Sequence, residues 1–277
     1  MADSQERLSK LQNKVATQKQ FQTASEDPVN ASASLSLRSN LRTLDSYSDT
    51  AATTGNWMST TDYALNQLEE LGIRASNLIL RGLNDSLSGS ERATALGTEM
   101  QSIVDQAVEV GNTSVNGQFI FSGYQVNQKA FGLKDAPPPQ IPDYQGTLFT
   151  PKVVEYLGDT GNMQRSLGPD QSVAMNVPGD LAIRGFIENL ILARNALAQN
   201  NIRNTGVPAA DLLTLQTALS GVKSSSETVN QFRTSNGARM RQVESASNFL
   251  ETVKIETKSL LSQKEDTNLA EGIALLT

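Results

Sequence analysis

The sequence predicts a mainly α protein with an inserted β-rich domain, an α+β chain whose helices come from both ends. Three observations carry this reading. The first 54 residues contain no glycine and one proline, Pro28, over an apolar three–four spacing. The stretch from 116 to 179 is punctuated by glycine, proline and asparagine turns between short β-prone runs. From Phe186 onward the helical period returns and runs almost to the end.

Leu8, Leu11 and Val15 set a helical spacing near the start, which stalls at Gln22-Thr23-Ala24-Ser25-Glu26-Asp27-Pro28. A residue before proline is pushed out of the helical region, whereas proline suits a helix's first turn. A loop is therefore expected here, with Asp27 as N-cap of a second helix opening at Pro28. Leu37, Leu41 and Leu44 stripe that helix, and Trp57, Thr61, Ala64, Leu68, Leu71, Ala75 and Leu78 continue it. Strict heptads from the first stripe would reach Met58 rather than Trp57, so the seam shifts by one residue. Such a shift suits a multi-helix bundle better than a two-stranded coil. Unbroken to about Leu80, this helix would be roughly 80 Å long. Asn84, Ser88 and Gly89 end it. Ser88 to Glu91 has capping-box form, and Leu96, Met100, Ile103, Ala107 and Val110 stripe the next helix.

Asn116-Gly117 is a hairpin turn signal ahead of Gln118-Phe119-Ile120-Phe121-Ser122-Gly123. Residues 133–151 hold most of the prolines, including Pro137-Pro138-Pro139. Lys152 to Leu157 and Met163 to Leu167 read as a hairpin across the Asp159-Thr160-Gly161-Asn162 turn. Gly168-Pro169-Asp170 then turns into a strand from Ser172 to Val177, closed by Pro178-Gly179. Phe186, Leu190, Arg194 and Leu197 restore the helix. A loop at Asn200 to Val207 leads to Pro208 as a first-turn proline. Leu212, Leu215, Leu219, Val222, Val229 and Phe232 follow, and beyond Gly237 come Val243, Ala246, Leu250, Val253, Thr257 and Leu260. Both flanks need a partner for their stripes, and the economical solution is that they pack on each other. The expected domains are a discontinuous helical bundle, residues 1–125 plus 183–277, and a β-rich insert, residues 126–182.

A net charge of −6 with both signs interspersed argues against a general nucleic-acid binder. No apolar run approaches a bilayer span, and no signal-peptide pattern opens the chain. With no cysteine and no histidine, thiolate chemistry, disulfides and the commonest general base are excluded. No catalytic, cofactor or metal residues are assigned. Asp159-Thr160-Gly161 matches the aspartic-protease triplet, but it sits in a turn that this triplet suits chemically. Glu69-Glu70 and Glu265-Asp266 are adjacent on helices, so each pair diverges around the axis. Trp57 lies on the seam and is assigned to the core.

Four segments, in order, resemble one family. Gln22 to Val29 resembles the acidic-proline loop of flagellins and flagellin-like proteins. Gly117-Gln118-Phe119-Ile120-Phe121-Ser122-Gly123 is similar to a run found in the hook-associated junction members. Gly237-Ala238-Arg239, with Glu244 following, resembles the family's Gly-Ala-Arg segment, and Glu265 to Thr277 its C-terminal acidic patch. Together they frame roughly 220 residues. Departures are Glu26 and Asn268, where aspartate is usual, and the lack of a glycine before the loop.

The resemblance implies a non-enzymatic, exported, extracellular subunit of the bacterial flagellum, an adaptor ring between hook and filament, for which lack of cysteine is suitable. It implies neighbours of two kinds, the first hook-associated protein and flagellin. It also implies self-association in a ring when full length, an export chaperone acting through the missing C-terminal segment, and no cofactor. Family members carry some tens of further residues at each end, so the chain is expected to be trimmed of both polymerisation segments. Ser25, Glu26, Asp27 and Pro28, joining two helices with exposed acids, are the expected subunit-contact loop. The alternative within the class is flagellin itself. From other classes come a secreted carboxylate-dependent hydrolase using Asp159 and Glu155, and a helical surface-binding module. An insert of roughly 55–60 residues is small for an enzyme domain.

Overall fold

The computed structural model describes residues 12, 14–84, 87–137, 140–143, 145, 147–199 and 209–267. Leu8, Leu11, Pro138, Pro139, the Asn200–Val207 loop, Pro208 and the segment from Asn268 lie outside the described residues, as does the side chain of Leu212. Helix α1 spans Pro28–Gly82, 55 residues without interruption. A single α-turn, Gly89–Glu91, and a π-helical stretch, Arg92–Leu96, lead into α2, Gly97–Gly111. Strands follow: β1 Ser114–Val115, β2 Gln118–Phe119, β3 Phe131–Asp135, β4 Ile141–Pro142, β5 Leu148–Phe149, β6 Lys152–Tyr156, β7 Gln164–Gly168 and β8 Gln171–Ala174. A second π-helical stretch, Asp180–Arg184, opens α3, Gly185–Ala198, and α4 runs through Ala209–Glu265, 57 residues.

Contacts divide the chain into two compact units. One holds Met1–Ala52, Ser166–Gln171 and Val243–Thr277; the other holds Thr53–Arg165 and Ser172–Gln242. This division differs from boundaries drawn at the ends of the insert, because both long helices contribute to each unit. In the larger unit one apolar cluster joins Leu65, Leu68 and Ile79 of α1, Met100 and Ile103 of α2, Phe186 and Leu190 of α3, and Val222 and Val229 of α4. Phe131, Val154, Met163 and Met175 from the middle of the chain belong to the same cluster. The seam shift near residue 57 appears as a broad apolar face: Trp57 and Met58 are both buried, with Thr54 beside them. Within this unit α1 and α4 run antiparallel. The buried Asn236 amide donates to the Met58 carbonyl at 2.9 Å, and the Arg233 guanidinium reaches Asp62 at 3.3 Å and Glu69 at 2.9 Å.

The capping box forms as expected. Ser88 Oγ accepts from the Glu91 amide at 3.2 Å, and the Glu91 carboxylate accepts from the Ser88 amide at 2.9 Å. Arg92 is buried and donates to the Asn84 carbonyl at 2.6 Å, closing the end of α1 onto the π-helical stretch. Asn116 and Gly117 stand at φ 51° and 79° between β1 and β2, the double left-handed turn that a two-residue hairpin needs. The remainder of the Phe-Ile-Phe-Ser-Gly run is not strand. Ile120, Phe121 and Ser122 are buried, and Gly123 turns the chain at φ 67°.

One expected pairing is replaced. The strand from Lys152 does not pair with the one after Asp159; β6 pairs antiparallel with β3, Phe131 opposite Tyr156, and β7 pairs with β8 across Gly168-Pro169-Asp170. The reason is the anchoring of the intervening turn. The Asp159 carboxylate accepts from the amides of Tyr124 at 2.9 Å and Gly161 at 2.7 Å, so its turn is tied to residues 122–124. The Tyr156 hydroxyl lies between the carbonyls of Phe121, at 2.9 Å, and Asp159, at 2.7 Å. Burial pushes its pKa up to about 12, so it stays a neutral donor. Asn112, capping α2, forms a strand-like pair with Phe131: its amide donates to the carbonyl and its side-chain oxygen accepts from the amide, both at 2.9 Å.

A Cβ on Gly123 would fall 2.2 Å from the Asp159 carbonyl oxygen, whereas one on Gly117 meets nothing within 4 Å. Gly117→Ala is therefore expected to cost about 1 kcal/mol through backbone conformation alone. Gly123→Ala should cost more than about 2 kcal/mol, since conformation and clash add. Thermal unfolding of the two variants checks this order. Equal shifts would mean that the Asp159 turn moves freely.

Candidate assembly surface

The acidic-proline loop belongs to the smaller unit. Residues 14–17 are helical, Gln18 turns at φ 57°, and the chain then runs without regular structure to Pro28. Both acids are engaged locally. Glu26 accepts from the Gln22 amide at 2.9 Å, and Asp27 accepts from the Asn30 amide at 3.0 Å, the N-cap geometry expected. These donors hold both carboxyls below the ordinary carboxylate range, chiefly through the Gln22 amide for Glu26 and the Asn30 amide for Asp27. Ser25, Glu26 and Pro28 face solvent, as does Val29, 79% exposed. The loop thus presents two fixed negative charges beside an exposed apolar side chain, and the structure brings all four expected residues together.

A second cluster lies where the loop begins. The end of α4 meets residues 18–20: the Gln20 amide donates to the Glu265 carbonyl at 2.7 Å, and the Thr267 amide to the Gln18 carbonyl at 2.9 Å. Lys19 and Asp266 form an antiparallel bridge between these segments. Glu265 itself is 5% exposed and receives three charged donors. Arg38 of α1 binds it in two-pronged fashion, Nε at 2.7 Å and Nη2 at 2.6 Å, and Lys19 Nζ lies at 2.7 Å. Arg38 first, and Lys19 to a lesser degree, hold its pKa down to about 2.

Sequence reasoning placed Glu265 and Asp266 on diverging faces, and they do diverge, since Asp266 accepts from Ser262 at 2.6 Å. It missed the ion cluster, and it put the closing stripe one residue off. Leu260 is 49% exposed, and the inward face of α4 advances by fours through buried Thr257, half-buried Leu261 and buried Glu265. An acid at an apolar seam position was the available signal. Of the other charged candidates, the Asp159 carboxylate is taken up by backbone amides, and Glu155 pairs with Lys134 across β3 and β6. Arg239 of the Gly-Ala-Arg segment donates to the carbonyls of Ala174 and Asn176, at 3.0 and 3.1 Å. No described helix is long and apolar enough to cross a membrane.

Residues 1–126 match the family model of the bacterial flagellin N-terminal helical region. Flagellar hook-associated protein 3 of Salmonella typhimurium is 29% identical over 132 residues, 47% of this chain. The match spans 41% of that relative's length. A hook-associated protein candidate from Vibrio parahaemolyticus superposes with a TM-score of 0.71 at 16% identity, over 87% of this chain and 100% of that one. Xanthomonas campestris FlgL gives 0.66 at 16% identity, over 82% and 99%. Hook associated protein-3 of Legionella pneumophila gives 0.64 at 12%, over 82% and 97%. Residues 1–126 thus resemble a flagellin N-terminal helical region, the family whose motifs they carry. Over the 82–87% of the chain that superposes, the fold is similar to that of these hook-associated proteins.

Two outcomes are expected. Glu265, with its folded pKa depressed, contributes stability that is fully present above the ordinary value of 4.5 and is lost as pH falls toward about 2. Lys19 and Arg38 are half-exposed at their charged ends, so the effect should stay below about 2 kcal/mol. Unfolding followed from pH 5 to pH 2 should show this slope in the wild type and a shallower one in Glu265→Gln. Identical slopes would mean that the cluster carries no free energy. Asp27→Ala should raise amide exchange at Asn30 several-fold by removing the cap, while leaving the Met100 amide unchanged.

Proposed function

We propose that the protein is a structural subunit of the bacterial flagellum, an adaptor at the hook–filament junction onto which flagellin assembles. The sequence match that carries this reading is the flagellin N-terminal helical region at residues 1–126. The 29% identity to hook-associated protein 3 favours the junction over the filament. On this reading the subunit works by shape and register and not by chemistry. It is exported, lies outside the cell in the flagellum, joins a ring of its own kind, and meets the first hook-associated protein on one side and flagellin on the other. A chaperone would accompany it through export.

Ser25, Glu26, Asp27 and Pro28 form the subunit-contact loop in this proposal. Support comes from their exposure and from local hydrogen bonds that fix both acids without burying them. Residues 126–182 would act as a variable insert. The Lys134–Glu155 and Lys152–Asp135 pairs on its outer strands are exposed and replaceable.

Deleting the gene in its own host should leave cells with hooks but without filaments, and the full-length gene should restore swimming. Motile deletion cells would overturn the reading. Extended filaments grown from the pure full-length protein would instead favour flagellin. In the restored strain, Glu26→Lys with Asp27→Asn should reduce swimming by at least about tenfold while secreted protein stays constant. This charge change is far more disruptive than an ordinary exposed substitution.

A further inference from the structure

The acidic-proline loop has no core of its own. Residues 22–26 are all exposed, so apolar burial does not determine where the loop sits. Its position is set at its two ends. At the exit, Asp27 caps α1 through the Asn30 amide. At the entrance, residues 18–20 are fastened to the end of α4 by two backbone hydrogen bonds and by the Lys19–Glu265 ion pair. Glu265 also grips Arg38, ten residues past the loop's exit on α1, so one buried carboxylate ties the segment before the loop to the helix after it. Gln18 is held at φ 57°, a conformation that a non-glycine residue adopts at a cost and keeps only when its surroundings impose it.

We propose that Glu265, through Lys19 and Arg38, is the positioning residue of the subunit-contact loop: its charge places Ser25 to Pro28 for contact with a neighbouring subunit. This rests on the assembly role proposed above. Glutamine at 265 keeps the volume, the helix propensity and one acceptor, but loses the charge that orders two cations from different segments. A role in packing alone would therefore tolerate glutamine, whereas a positioning role would not.

The test uses the full-length protein. Hydrogen exchange should show the Gln20 and Thr267 amides, the two backbone donors of the clasp, exchanging at least tenfold faster in Glu265→Gln. The Met100 and Val222 amides should keep wild-type rates. In the deletion strain the same variant should be secreted normally and swim at least tenfold less than the wild type. Arg38→Met and Lys19→Met, which keep the apolar stems, should each give a partial loss, and Arg38→Lys should recover most of it. Should Glu265→Gln fail to fold, these milder variants carry the same comparison. Unchanged exchange at Gln20 and Thr267 would overturn the proposal, and so would fast exchange with wild-type swimming. If the wild-type gene itself fails to restore swimming, the assembly role falls, and the exchange result still decides whether the clasp positions the loop.

Discussion

Each compact unit of this molecule depends on helices from the two halves of the chain meeting in a fixed antiparallel register. A helix of 55 residues with a single apolar stripe has no stable place for that stripe until another helix covers it. Apolar faces alone specify alignment poorly, because sliding by a turn replaces one leucine with another. Polar contacts remove that freedom. In the larger unit the buried Asn236 amide donates to the Met58 carbonyl, and Arg233 spans Asp62 and Glu69. In the smaller unit Lys254 meets Asp45 at 2.8 Å, and Glu265 meets Arg38. These contacts are few, but each carries a cost if the helices pair wrongly.

The helices were legible because their period extends over many turns, and the capping box and the Asn-Gly hairpin because their chemistry is local. What escaped was long-range pairing. The strand from Lys152 has the alternation and length to pair with the next strand in sequence. Whether it does so depends on Asp159, whose carboxylate is drawn to Tyr124, 35 residues earlier. That choice leaves no mark within either strand. The loop at Ser25 to Pro28 was legible from proline and acid alone, and its N-cap formed as read. The Glu265 cluster was hidden because its partners lie 246 and 227 residues away, and a glutamate at a helix end usually points to water.

The middle of the chain shows how a β-rich segment can be absorbed into a helical core. Phe131 packs against Tyr156, ring centres 5.3 Å apart; Phe131 belongs to the apolar cluster shared with α1 to α4, and Tyr156 packs against it. Its strands are short and its sheets two-stranded, a size that needs an outside surface for stability. The helices supply that surface. Changes in the exposed strand residues should therefore leave the helices intact, whereas changes at Phe131 or Met175 should be felt in both.

The long helix pairing also constrains how the chain reaches its folded state. Contacts such as Asn236 to Met58 and Arg38 to Glu265 close loops of 178 and 227 residues. Closure over such spans is slow and is repaid only when both partners are present. A chain delivered end-first through a narrow passage, whichever end leads, cannot complete the smaller unit until residues from the far end have emerged. For a chain delivered in that way, the topology itself would delay folding.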